Sequence, residues 1–225
     1  MKIQFDAEMK RRLIMCVTGT VVMGMSVGLF SLAALGMDPF QVFCHGIWRL
    51  TPLSFGNCYT LISIVFLLIT FLINRRKIGL GTVINLFLVG YIADFSEWLF
   101  GRLITGHGIV TRLLLLIVAL FILCFSSSLY MVADLGVSAY DAQAITVSER
   151  SGIPFRTCRI VSDLLCVLLG SVFCILSDRD LSAEGALLVT VGAGTVITAF
   201  FMGPVISFFS KTVAEPMRKG SFGKR

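Results

Sequence analysis

Arg159 and Asp163 stand four residues apart in a segment made mostly of leucine, valine and cysteine. At helical pitch that separation is one turn, so the guanidinium and the carboxylate lie on one face and can neutralise each other. A lone charge at the centre of a membrane helix costs about 2.5–3.5 kcal/mol, so a pair is what such a segment tolerates. Two uses of the pair stay open. One is a structural bridge; in the other, burial raises the proton affinity of Asp163, which then takes up and releases a proton as a solute or partner approaches.

Three further groups of polar residues interrupt apolar sequence. Gln41, His45 and Arg49 recur at i, i+4 and i+8, opposite Phe40, Phe43, Ile47 and Leu50, which gives a short two-faced helix. Asp38 precedes Pro39 and is placed to cap that helix, accepting its first free N–H groups. Asp94 and Glu97 lie three residues apart near the end of another apolar run; they are either hydrated at an interface or an acidic mouth that attracts cations. Asn85 sits deeper in the same run, where an amide bonds across helices or meets a solute. Asp134 and Asp141 flank the second polar interruption, where exposure to solvent is the default reading.

Enzymatic and metal chemistry find little support in these residues. HExxH and GxSxG are absent, and so are paired aspartates of the membrane-protease type, so no catalytic role is expected. His45 could relay protons, but with His107 as the only other histidine a metal site lacks ligands. None of the seven cysteines forms a CxxC pair and most read as small core residues. No cofactor is expected. No nucleotide-binding loop is present either, so an ATP-driven step would need a partner.

The elements that must hold these groups are membrane helices. Of the 225 residues 56% are hydrophobic and only 14% charged, and the mean hydropathy is +0.92, far from a soluble domain. Apolar runs near 12–35, 57–74, 79–100, 111–134, 157–177 and 185–209 are each long enough to cross a bilayer as a helix. The run after the N-terminal basic cluster is too long for a cleaved signal and reads as a first span. The net charge of +6 sits in clusters beside the spans, Lys10-Arg11-Arg12, Arg75-Arg76-Lys77 and Arg218-Lys219, which suits topology and not nucleic acid. With six spans, the N-terminus, the turn at Asn74–Lys77, the Glu149–Arg159 region and the C-terminal tail fall on one side. Arg49, Arg102 and Arg112, with Asp178, Asp180 and Glu184, fall on the other. Both termini, residues 1–11 and 210–225, are therefore expected to be cytoplasmic tails.

The chain also repeats. Sliding it by 100 residues aligns LGMDPFQVFCHGIWRLTPLSFGNC with LGVSAYDAQAITVSERSGIPFRTC, matching Leu35, Gly36, Phe55 and Cys58 to Leu135, Gly136, Phe155 and Cys158. After four added residues, Gly81 and Gly90 match Gly185 and Gly194. Each unit holds three spans, an odd number, so the two must cross the membrane in opposite senses. The expected fold is therefore all-α, a single integral membrane domain of six transmembrane helices. They form two inverted three-helix repeats, about 12–100 and 111–209, each with a short polar segment after its first helix. That segment either lies in the headgroup layer, with Trp48 as anchor, or re-enters toward the repeat interface.

LGMDPF, the SFGN segment opening a span, and IGLGTVIN after a basic turn make the chain similar to the YczE/YyaS/YitT group of bacterial multipass membrane proteins, closest to its YczE branch. The likeness covers nearly the whole chain. The second half departs from it, with Ser138-Ala139 in place of Asp38-Pro39 and Glu184-Gly185-Ala186 in place of Leu80-Gly81-Thr82. The resemblance implies an inner-membrane address and a shared fold more than an activity.

The functional expectation is a permease for a small solute or ion, alternating access at the repeat interface. Its expected path is lined by Asp38, Gln41, His45, Asn85, Asp141, Arg159 and Asp163, with Asp94 and Glu97 as the mouth. The alternative is a non-transporting scaffold or accessory subunit whose polar residues only pack helices. The lipid bilayer is the expected partner throughout, and a second copy or another membrane subunit is left open.

Overall fold

The long, mostly apolar runs form helices, and left-handed residues at Ala34, Gly36, Asp134, Gly136 and Gly152 make turns between them. A computed structural model of the chain describes residues 7–74, 78–104, 108–177 and 190–220. The Arg75–Lys77 turn, His107, Asp178, Asp180, Glu184 and Gly185 lie outside the described residues. The elements are α1 (Ala7–Ala33), α2 (Pro39–Arg49), α3 (Phe55–Asn74), α4 (Leu80–Leu103), α5 (Ile109–Ala133), α6 (Ala139–Ser151), α7 (Phe155–Ile175) and α8 (Ala193–Phe209). A π-helical turn, Ser210–Ala214, carries α8 into the short α9 (Glu215–Lys219).

Six helical segments among the described residues are long and apolar enough to cross a membrane. Their outer faces are oily, with Leu72 83% and Phe200 75% exposed, which hydrocarbon tolerates and water does not. The last span begins at Ala193 and its helix continues to Lys219, later than the expected 185–209. All seven cysteines are free and buried.

α1 and α5 are antiparallel. Arg12, near the start of α1, donates from Nε to the Ala133 carbonyl at the end of α5 (2.7 Å) and from Nη2 to that of Asp134. Arg112, near the start of α5, donates likewise to Ala33 (2.8 Å) and to Ala34. Each guanidinium thus satisfies carbonyls that the other helix leaves bare at its C-terminus. Further along the contact, Gly19 lies against the Ser126 carbonyl and Ser26 Oγ donates to the Ala119 carbonyl (2.7 Å).

α4 runs parallel to α1, with Gly81 against Cys16, Gly24 against Ile92 and Gly101 against Leu32. α8 runs parallel to α5, with Gly194 against Leu116 and Cys124 against the Met202 carbonyl. α3 is antiparallel to α4, Gly56 meeting Asp94 and Thr60 meeting Leu86.

The turns after α1 and α5 match. Ala34 and Asp134 both adopt left-handed backbone, φ 49° and 52°, and Gly36 and Gly136 follow at φ 100° and 120°. A Cβ on Gly36 would sit 2.5 Å from the Gly192 nitrogen, and one on Gly136 2.5 Å from Thr82 Oγ1, so both positions need glycine for conformation and for space. The Leu135 carbonyl accepts from the Gly81 N–H and the Leu35 carbonyl from that of Gly194, each at 2.7 Å. Gly79 and Gly192 cap α4 and α8 in the same way, bonding to Thr82 and Thr195. This corrects the register read from sequence. Gly81 corresponds to Gly194, not to Gly185, and GLGTVIN (79–85) to GAGTVIT (192–198).

Candidate functional site

The short helices turn back into the helix layer. From Arg12 to Ala33 α1 rises about 30 Å at 1.5 Å per residue, so Ala33 and Ala133 sit at opposite ends of the α1–α5 pair. Seven residues beyond each, the rings of Phe40 and Tyr140 are stacked with centroids 4.7 Å apart. α2 continues alongside α7, where Gly46 and Gly170 let the backbones touch, and its end reaches Ser177. α6 continues alongside α3, Gln143 Nε2 donating to the Phe66 carbonyl (2.6 Å) and Arg150 to that of Ile73 (3.0 Å). Most residues of α2 from Pro39 to Gly46 are buried, and α6 is buried at Ala139, Tyr140, Ala142, Ala144 and Thr146.

At this meeting point Arg159 of α7 binds two carboxylates. Its Nε donates to Asp163 Oδ1 at 3.1 Å, the pair expected from their spacing, and its Nη1 donates to Asp141 of α6. Tyr140 closes the group: its hydroxyl donates to Asp163 Oδ1 (2.6 Å), and its ring lies 4.3 Å from the guanidinium carbon, with Phe40 also stacked on it. Ser138 caps α6 and donates to Asp141 Oδ2 (2.7 Å). Asp141 is therefore engaged in the cluster and not simply solvated. Neither Tyr140 nor Ser138 was singled out from the sequence, because an aromatic and a serine at a helix start look like ordinary packing and capping.

Asp38 caps α2, its Oδ1 accepting from the Phe40 and Gln41 N–H groups at 3.2 and 3.4 Å. It lies within electrostatic reach of both Arg159 and Asp163, and burial pushes its carboxyl up to about 6 against the pull of Arg159. Gln41, His45 and Arg49 follow on α2, and each has a buried polar atom with no hydrogen-bond partner among the described residues: Oε1, Nε2 and Nε. His45 stacks on Phe55 (4.4 Å), and burial, followed by the nearby Arg49, holds its pKa down to about 3, which makes it a neutral imidazole.

The remaining residues fall elsewhere. Asn85 is buried on α4 against α1, its Nδ2 3.8 Å from Met23 Sδ, and among the described residues no hydrogen bond or ion pair joins it to Arg159. Asp94 accepts from the Gly56 N–H at 2.8 Å and so caps α3 from a neighbouring helix. With Glu97 and the indoles of Trp48 and Trp98 it borders an open hollow of about 380 Å³. Asp134 pairs with Arg12 (3.1 Å) and Arg218 (3.7 Å) at the end of the bundle. Among the described residues no group of three or more His, Cys, Asp or Glu could hold a metal ion.

The likeness read from LGMDPF, SFGN and GLGTVIN holds across the chain. It is similar to an uncharacterized protein of Haemophilus influenzae, 24% identical over 194 residues, covering 86% of this chain and 81% of the relative. It is also similar to the uncharacterized membrane protein YczE of Bacillus subtilis, 22% identical over 191 residues, 84% and 81% of the two chains. No solved structure matches. The profile of DUF6198, a family of unknown function, matches residues 10–211, and the chain belongs to that family.

Proposed function

We propose that the protein is a permease of the bacterial inner membrane, built as two inverted three-helix repeats, α1–α4 and α5–α8, that rock about the contact of Phe40 with Tyr140. The observation that carries this reading is the convergence of two half-helices, hung from opposite ends of the bundle, on a single charged cluster. Irregular backbone inside a helix layer is tolerated where it lines a cavity, and half-helix N-termini meeting at a repeat interface are how many secondary transporters hold their cargo. The equivalent contacts of Arg12 with Ala133 and Arg112 with Ala33, and of Gly81 with Leu135 and Gly194 with Leu35, support a twofold relation between the repeats.

In this reading Asp38, Gln41, Asp141, Arg159 and Asp163 line the central path for a small solute or ion, His45 lies along α2 toward one mouth, and both termini are cytoplasmic. Asn85 contributes to packing beside the path. The protein performs no covalent chemistry. A scaffold or accessory subunit is the alternative; it would leave Gln41 Oε1 and His45 Nε2 buried without partners and without a use for them.

An untargeted comparison of metabolites in cells carrying the wild-type gene, no gene, and the Asp163→Asn variant tests the proposal. A solute whose level follows the wild-type protein and is lost with Asp163→Asn supports it. Identical profiles in all three, with folded protein present in the membrane, refute it.

A further inference from the structure

Two carboxylates bind one guanidinium where α2 and α6 meet, a third, Asp38, lies within electrostatic reach of it, and the three are not equivalent. Asp163 receives Arg159 and the Tyr140 hydroxyl, and Asp141 receives Arg159 and the Ser138 hydroxyl. Each of these two carboxylates therefore accepts from two side-chain donors. Among the described residues Asp38 receives only two long backbone bonds, both on Oδ1. The N-termini of α2 and α6 each contribute about half a positive charge at this point. With Arg159 they offset about two of the three negative charges, which leaves one positive charge to be supplied.

A second observation concerns Gln41. It occupies the third position of α2, in the first turn of the helix that Asp38 caps. Its side chain is buried, only 5% exposed, and its Oε1 has no donor among the described residues. Gln41 Oε1, on the same helix turn as the carboxyl that caps it, is thus a buried acceptor that a hydrogen on Asp38 would satisfy.

We infer that Asp38 is the proton-binding site of this protein, taking up one proton from water, sharing it with Gln41 Oε1, and returning it to water. No bond other than O–H forms or breaks. That this proton is the coupling ion rests on the permease reading; that it binds at Asp38 does not.

The titratable and charged groups facing Asp38 are Cys44 on α2, Tyr59 on α3, and Arg159, Asp163 and Cys166 on α7. Arg159 draws the proton off and Asp163 holds it on. The value of about 6 for Asp38 agrees with a group that exchanges a proton within the physiological range.

The test is infrared difference spectroscopy of the purified full-length protein in lipid nanodiscs, titrated between about pH 8 and pH 5. The wild type is expected to gain the carbonyl stretch of a protonated carboxylic acid as pH falls. Asp38→Asn, which keeps a good helix cap, is expected to lose that band. Asp163→Asn is expected to retain it with a midpoint at lower pH, and Gln41→Leu to move it to the higher frequency of an unbonded acid. A band that persists in Asp38→Asn, or a wild-type protein with no titrating band, overturns the inference. Because no solute is needed, a proton site found in a protein that proves not to transport would leave the inference standing and remove the permease reading instead.

Discussion

The ring of Tyr140 is stacked 4.7 Å from that of Phe40, although the helices that deliver them leave opposite ends of the bundle. These residues hold the same place in the two halves of the chain, second in α6 and second in α2. Tyr140 carries the hydroxyl that reaches Asp163, and Phe40 carries none. The meeting point is therefore matched in shape and unequal in chemistry.

Tyr140→Phe removes the donor to Asp163 and leaves the stack intact. Losing a hydrogen bond to a charged acceptor costs about 1.5–3 kcal/mol, toward the lower end here because Asp163 keeps Arg159 and is partly exposed. Chemical unfolding in detergent should show that loss in the wild-type background. In an Asp163→Asn background the same substitution should cost less, and equal costs in both would mean that the bond contributes nothing.

Arg159→Gln leaves Asp141 and Asp163 without their cation. A buried pair broken from one side costs about 3–5 kcal/mol, and one whose members remain about a quarter exposed costs less, about 2 kcal/mol. Protein yield after mild detergent extraction should fall sharply. Adding Asp141→Asn and Asp163→Asn should restore part of it, since the uncompensated charge is then gone.

How much of this was legible in sequence depends on distance along the chain. Arg159 with Asp163, and Asp38 as the cap of α2, follow from spacing within one element. Asp141 with Arg159 does not, because the two belong to different helices joined through a turn at Gly152. Arg12 was read with Lys10 and Arg11 as a marker of sidedness. Its role as the cap of α5 depends on the antiparallel packing of two helices, which composition does not reveal. GLGTVIN and GAGTVIT are alike as strings, but they stand further apart along the chain than the two polar segments do, so a nearly constant offset does not pair them. Tyr140 carried no signal at all; only the fold brings it to Asp163.

Gly36→Ala and Gly136→Ala should be alike in effect. Each adds a Cβ to a residue with positive φ and drives it into the start of the partner helix, α8 or α4. A destabilisation of at least 1–3 kcal/mol, roughly the cost of a strained residue, is expected for each and should appear as a lower melting temperature in detergent. Gly108→Ala, which meets no neighbour within 4 Å, is the control and should change little.

The folded chain holds the Asp38 proton more tightly than an unfolded chain would, at about 6 against the ordinary 3.8. Acidification from pH 7 toward pH 4 should therefore stabilise the wild type relative to Asp38→Asn, and that advantage should be lost as pH rises through about 6. Melting temperatures of the two proteins across this range check the sign. A difference that does not vary with pH would show that Asp38 does not titrate in the fold.

Reporter fusions placed after Ile73 and after Arg102 should report opposite sides of the membrane, because α3 and α4 are antiparallel neighbours. Both fusions on one side would rule out the six-span topology.

Cross-linking within single chains tests the convergence of the two halves most directly. Cysteines at positions 40 and 140, in a chain whose seven native cysteines are replaced, should be joined by a short bis-maleimide in intact membranes, as should a pair at 12 and 134 drawn from the Arg12–Asp134 contact. Efficient joining of 12 with 134 and none of 40 with 140 would contradict the account.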